Sequence, residues 1–127
     1  MKKWILFVLI LVGGLCACTK QNTGFYRCIT QEEAKRMMDE EKDVIILDVR
    51  SFPEFNNGHI ENAICIPVQD IKNTPPEELP DLDQIILVYC RSGNRSKTAS
   101  QALANMGYTN IYEFGGIETW TYGVVQD

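Results

Sequence analysis

Histidine is nearly missing from this chain: His59 is the only one in 127 residues. With no clustered Cys/His spacing either, a zinc site is not expected. Positive charge is also short, 12 Lys and Arg against 17 Asp and Glu, for a formal net charge of −5. That balance argues against nucleic acid as a partner. Long apolar runs are few. The longest, Trp4 to Ala17, has fourteen residues, whereas a bilayer-spanning helix needs about 20. Internal repeats are absent.

The apolar run suits an export signal, with Met1-Lys2-Lys3 as its charged start. Leu15-Cys16-Ala17-Cys18 then resembles the bacterial lipoprotein lipobox, with cleavage before Cys18 and lipid on its thiol. Cys16 fits worse, because Leu15 would then hold the small-residue position. An ordinary cleaved signal or an uncleaved anchor are the alternatives. The expected organisation is a signal peptide at 1–17, a lipidated polar tether at 18–25 and one domain at 26–127. The mature chain, about 110 residues, suffices for a core of its own. Without Lys2 and Lys3 it carries 10 basic against 17 acidic residues. Cys28, Cys65 and Cys90 remain, an odd set that suggests a free reactive thiol and no disulfide framework.

Strands alternate with helices along the domain. Tyr26–Ile29 reads as a short edge strand. Thr30 and Glu33 form a capping box for a helix whose apolar face is Ala34, Met37 and Met38. Val44–Val49 is a buried strand. Ser51 and Glu54 cap a short helix that Asn57-Gly58 ends, and Ala63–Ile66 is a third strand stopped by Pro67. Asn73 to Asp83 forms the longest loop. Ile85–Val88 is a central strand, and Asn110–Phe114 is the last, after which Gly115-Gly116 turns the chain into a final short helix around Trp120. This order indicates a mostly parallel α/β sheet of about five strands with helices on both faces.

The chain is organised around Tyr89-Cys90-Arg91-Ser92-Gly93-Asn94-Arg95-Ser96. Ile85–Val88 precede it, and Ala99, Ala102, Leu103 and Met106 give an amphipathic helix after it, stopped by Gly107. Cys90 therefore sits at the carboxyl end of a buried strand, where open α/β sheets place their ligand crevices. Loop amides and the helix amino end converge there, and Arg91, Arg95 and Lys97 add cations. This placement favours a thiolate.

Four motifs in order resemble a single rhodanese (sulfurtransferase) domain over residues 26 to 123. They are Asp48-Val49-Arg50; Gly58-His59-Ile60 with Ala63 and Ile66-Pro67; the loop from Cys90 to Ser96; and Gly115-Gly116 with Trp120. Asn62 departs from the family's glycine. The resemblance implies sulfane sulfur transfer: Cys90 attacks the outer sulfur of a small anionic donor such as thiosulfate and holds a persulfide. A thiol, a protein cysteine or cyanide then accepts the sulfur. Backbone N–H groups from Arg91 to Arg95, with Ser92, Gly93, Asn94 and Ser96, would cradle the anion, and Arg91 and Arg95 would hold a sulfonate. No general base, cofactor or metal is called for.

A cysteine phosphatase or arsenate reductase needs five residues between Cys and Arg; here four separate Cys90 from Arg95, and Ser96 stands at the arginine's place. A rhodanese-fold binding module or a redox relay is the other alternative, against which the intact Cys90 speaks. Asp48 and Arg50 are read as a supporting ion pair that fixes loops, and His59 as a hydrogen bond within its turn. Cys65 is read as a small buried residue, a resolving thiol being the alternative. The expected partners are the sulfur donor, the thiol acceptor and, through lipid on Cys18, a membrane. The expected place is the extracytoplasmic side of a bacterial cell envelope.

Overall fold

The computed structural model describes residues 24–126. The signal peptide, Cys16, Cys18 and most of the tether lie outside the described residues. Five strands form one parallel sheet: β1 (Arg27–Cys28), β2 (Val44–Asp48), β3 (Ile64–Cys65), β4 (Ile85–Cys90) and β5 (Ile111–Gly116), in the order β1-β5-β4-β2-β3. The helices are α1 (Gln31–Glu40), α2 (Phe52–Asn56) and α3 (Asn94–Met106), with 3₁₀ turns at Val68–Asp70 and Ile117–Thr119.

Local sequence accounts for most of these boundaries. Thr30 and Glu33 close a reciprocal capping box on α1, and Ser51 and Glu54 do the same on α2. Helix α3 ends at Gly107, whose φ of 111° suits glycine. Central strands β2 and β4 are apolar almost throughout because both of their faces are covered. Leu47, Val49, Val88 and Cys90 pack with Leu103 of α3 and Ile111 of β5. Ile46, Leu87, Tyr89 and Phe114 pack on the opposite side with Ala34 of α1, Phe55 of α2 and Trp120. The long loop is tied down by Tyr108, whose hydroxyl donates to Leu79 O at 2.6 Å.

Three expectations shift. The first and third strands shrink to two residues each, although Ile66 and Val68 still donate to Asp48 O and Val49 O alongside β2. Gly115 and Gly116 stay in β5 instead of turning, because Gly116 pairs with Cys90 in the ladder. The expected final helix is a single 3₁₀ turn, Ile117–Thr119, with Trp120 just after it. At the departure from the family motif, Asn62 has φ of 73°. Asparagine tolerates that left-handed conformation, so the turn is kept.

Candidate active site

Cys90 closes β4 with 1% of its surface exposed. The chain leaves the sheet at Arg91, turns at Gly93 (φ 111°) and enters α3 at Asn94. That turn brings Gly93 N–H to 3.0 Å from Cys90 Sγ, a donor suited to negative charge on sulfur. Ser96 Oγ, in the first turn of the helix, lies 3.4 Å from the same sulfur. Behind the loop runs the end of β5, so close that a Cβ on Gly116 would stand 1.9 Å from Arg91 O. Glu118 N–H donates to that same oxygen at 3.2 Å. The backbone of β5 and of the turn after it thus packs directly against the loop from below.

The loop's cations are disposed differently from the expectation. Arg91 Nε donates to Glu118 Oε2 at 3.0 Å in an exposed pair, which has little strength and can exchange partners. Arg95 makes a two-pronged contact with Glu54 at 2.8 and 3.0 Å, which ties α3 to α2. Both guanidiniums are therefore engaged with carboxylates. Lys97 Nζ approaches instead: it stands 3.7 Å from where a Cβ on Gly93 would lie. Ser92 and Asn94 are both exposed at the rim.

Glu54 is a joint between elements, since it also accepts from Ser51 N–H and Ser51 Oγ. The Arg95 guanidinium, with Ser51 adding to it and burial opposing, holds the Glu54 carboxyl down to about 2 from an ordinary 4.5. Because the folded value is the lower one, the contribution is complete above about pH 4.5 and is lost as pH falls toward 2. Glu54→Gln is expected to cost about 1 kcal/mol at pH 7, this partly exposed pair being discounted for solvent screening. Urea unfolding at pH 7 and pH 3 checks it: the gap between wild type and variant should narrow at the lower pH.

Asp48 and Arg50 form a buried pair, Nη2 to Oδ2 at 2.7 Å, and Arg50 also donates to Gly58 O at 2.8 Å. The pair joins the end of β2 to the turn that carries His59. Asp48 stands in register with Tyr89, so it lies on the sheet face opposite Cys90. Tyr89 OH accepts from Ile60 N–H at 3.1 Å, and burial beside Asp48 pushes its hydroxyl well above the usual range. His59 Nδ1 lies 2.9 Å from Phe55 O and its ring stacks on Phe55 at 3.8 Å, a place within its own turn.

The other thiols differ from Cys90. Cys65 is in register with Asp48 and hence on the far face, and burial pushes its thiol up to about 11. That geometry removes it as a resolving partner. Cys28 is exposed at the sheet edge, in register with Glu113 and on the face of Cys90. Partial burial, together with the charge and hydrogen bond of Glu113, raises its thiol. A concavity of about 620 Å³ lined by Lys35, Met38, Trp120 and Tyr122 includes no residue of the thiol loop.

Sequence reading missed Glu113. It is 2% exposed, accepts from Ser96 Oγ at 2.6 Å and from Gly115 N–H at 3.0 Å, and so lies one residue removed from the thiol. The signal was present: an acid at the same strand parity as core residue Ile111.

The Rhodanese-like domain profile matches residues 30–122. The thiosulfate sulfurtransferase PspE of Escherichia coli is 33% identical over 72 residues, which covers 57% of this chain and 69% of that protein. The thiosulfate sulfurtransferase GlpE of Coxiella burnetii is 31% identical over 96 residues, 75% of this chain and 87% of that one. A rhodanese-related protein of Thermoplasma volcanium superposes with a TM-score of 0.68 at 30% identity, over 80% of this chain and 100% of its own. With a thiol loop at the end of the fourth parallel strand and a profile match over most of its length, this chain belongs to the rhodanese family.

Proposed function

We infer that this protein is a sulfurtransferase that moves sulfane sulfur from thiosulfate, or from a persulfide donor, to a thiol or cyanide by way of Cys90. The observation that carries the reading is the thiol itself, held at the carboxyl end of β4 with Gly93 N–H at 3.0 Å from sulfur. Cys90 thiolate attacks the outer sulfur of thiosulfate. The new S–S bond forms as the bond to the sulfite sulfur breaks, and sulfite leaves with the electron pair. The acceptor nucleophile then attacks the outer sulfur of the persulfide and Cys90 leaves as thiolate, so the enzyme alternates between two forms. Gly93 N–H faces the sulfur that carries charge in both steps.

Of the loop's two arginines, Arg91 is the more able to turn toward a sulfonate, since its pair with Glu118 is exposed. In the same reading the protein is exported and carries lipid on Cys18, which tethers the domain to the extracytoplasmic side of a bacterial membrane.

Intact mass after incubation of the reduced chain with thiosulfate is the test. A gain of one sulfur atom is expected, and cyanide should reverse it with release of thiocyanate. A confirmed free thiol that gains no sulfur and yields no thiocyanate would end the thiosulfate reading.

A further inference from the structure

The thiol of Cys90 is the first member of a chain of hydrogen bonds that leads inward, away from the substrate side. Ser96 Oγ lies 3.4 Å from Cys90 Sγ and 2.6 Å from Glu113 Oε2. A hydroxyl has one proton to give, and the shorter contact takes it. Ser96 therefore donates to Glu113 and turns a lone pair toward Cys90, so the thiol donates to the serine oxygen. This arrangement holds the proton on sulfur and the charge on the carboxylate, which is the unreactive state.

Glu113 is 2% exposed, its donors Ser96 Oγ and Gly115 N–H are neutral, the Cys28 thiol also reaches it from β1, and among the described residues it forms no salt bridge with a cation. The groups facing it are Cys28 from β1 and Ser96 from α3; from β4 it meets Val88, its register partner. Lys97 from the same helix favours charge on Cys28, and a charge on Cys90 favours the Arg95 cation.

We propose that Glu113 takes the Cys90 proton through Ser96, so that the reactive thiolate forms without release of a proton to solvent. The S–H bond of Cys90 breaks as that proton joins Ser96 Oγ. The original Ser96 proton passes in the same movement to Glu113 Oε2. The product is a neutral carboxylic acid, a serine hydroxyl that donates to sulfur, and a thiolate that also accepts from Gly93 N–H. No atom or electron is gained or lost. A negative charge moves from behind the loop to the sulfur, and nothing repulsive stays beneath an anionic donor. Glu113 touches no substrate and acts only through Ser96. The loop thus has a base after all, on a strand that its own sequence does not adjoin. The purpose of the relay rests on the sulfurtransferase reading, but its test does not.

Iodoacetamide, which contains no sulfur, reads the thiolate directly. The full chain is alkylated at roughly pH 4 to 10 and the rate followed on the Cys90 peptide by mass. A shared proton gives two rises in rate, because thiolate exists both in the state with one proton on the pair and in the state with none. Glu113→Gln and Ser96→Ala should each show a single rise, with the lower plateau reduced at least about tenfold. A purely structural role would change amplitude or stability and leave the number of rises unaltered. One rise in the wild type, or two unchanged rises in both variants, overturns the proposal. If a variant fails to fold, the wild-type profile still decides. Loss of sulfur loading with two rises present sinks the function and spares the relay; loading with a single rise does the reverse.

Discussion

Cys90→Ser should leave the fold standing and remove sulfur loading altogether, with thiocyanate production falling at least about a thousandfold, or ~4 kcal/mol of barrier. The two side chains differ by one atom, and the position is 1% exposed at the end of a strand whose ladder to β2 and β5 is made by backbone. Serine keeps a hydrogen-bonding group beside Ser96 Oγ and Gly93 N–H. Its cost in stability is expected to stay within about 1 kcal/mol. What it lacks is the chemistry. A serine hydroxyl ionises far above a thiol and is a poor nucleophile toward sulfane sulfur, and it cannot store the sulfur as a disulfide-like link. Thermal unfolding beside intact mass after thiosulfate separates the two effects. A serine variant that still gained sulfur would place the nucleophile elsewhere, and Cys28, the exposed thiol on the same face, would be the next to test.

Gly116→Ala is the opposite case, a substitution away from the thiol that should destroy its setting. A Cβ at this position would lie 1.9 Å from Arg91 O, 2.3 Å from Arg91 C and 2.6 Å from Ser92 Cα. All three are backbone atoms of the thiol loop, so no side chain can swing aside. Either β5 retreats and breaks its pairing with Cys90, or the loop lifts and takes Gly93 N–H away from sulfur. The expected cost is about 3 kcal/mol or more, in the range of severe overpacking. Sulfur loading should fall with it, even below the unfolding temperature. Urea unfolding read with Cys90 alkylation checks this; an alanine variant of unchanged stability would mean that the loop is far softer than its clamp implies.

Much of this was legible in the sequence, for reasons that are local. The two capping boxes are reciprocal arrangements between residues three apart, the strand runs are continuous, and glycine at 107 stops a helix. The parallel sheet and a thiol at a strand's carboxyl end come from those elements in order. What stayed hidden depends on pairing across the chain. Arg95 meets Glu54 over 41 positions, Arg91 meets Glu118 over 27 and Ser96 meets Glu113 over 17. No spacing rule couples such residues, so the arginines looked free and the buried acid looked like a strand residue. Gly115-Gly116 misled in a further way. Glycine pairs usually mark turns, but here the missing side chain makes room for a neighbouring backbone.

The recession of the thiol has its own consequence. With 1% of its surface in contact with solvent, Cys90 is recessed behind a loop whose Arg91 and Ser92 backbone lies directly on Gly116. Such recession sorts visitors by girth. Slim ions and linear nucleophiles pass, whereas a thiol set flat on a rigid globular surface stops at the rim. In the proposed sulfur transfer, a protein acceptor would have to present its cysteine on something that projects, a loose tail or a tapered loop. In that reading the same recession would shelter a stored sulfur from bulky reductants in the surroundings.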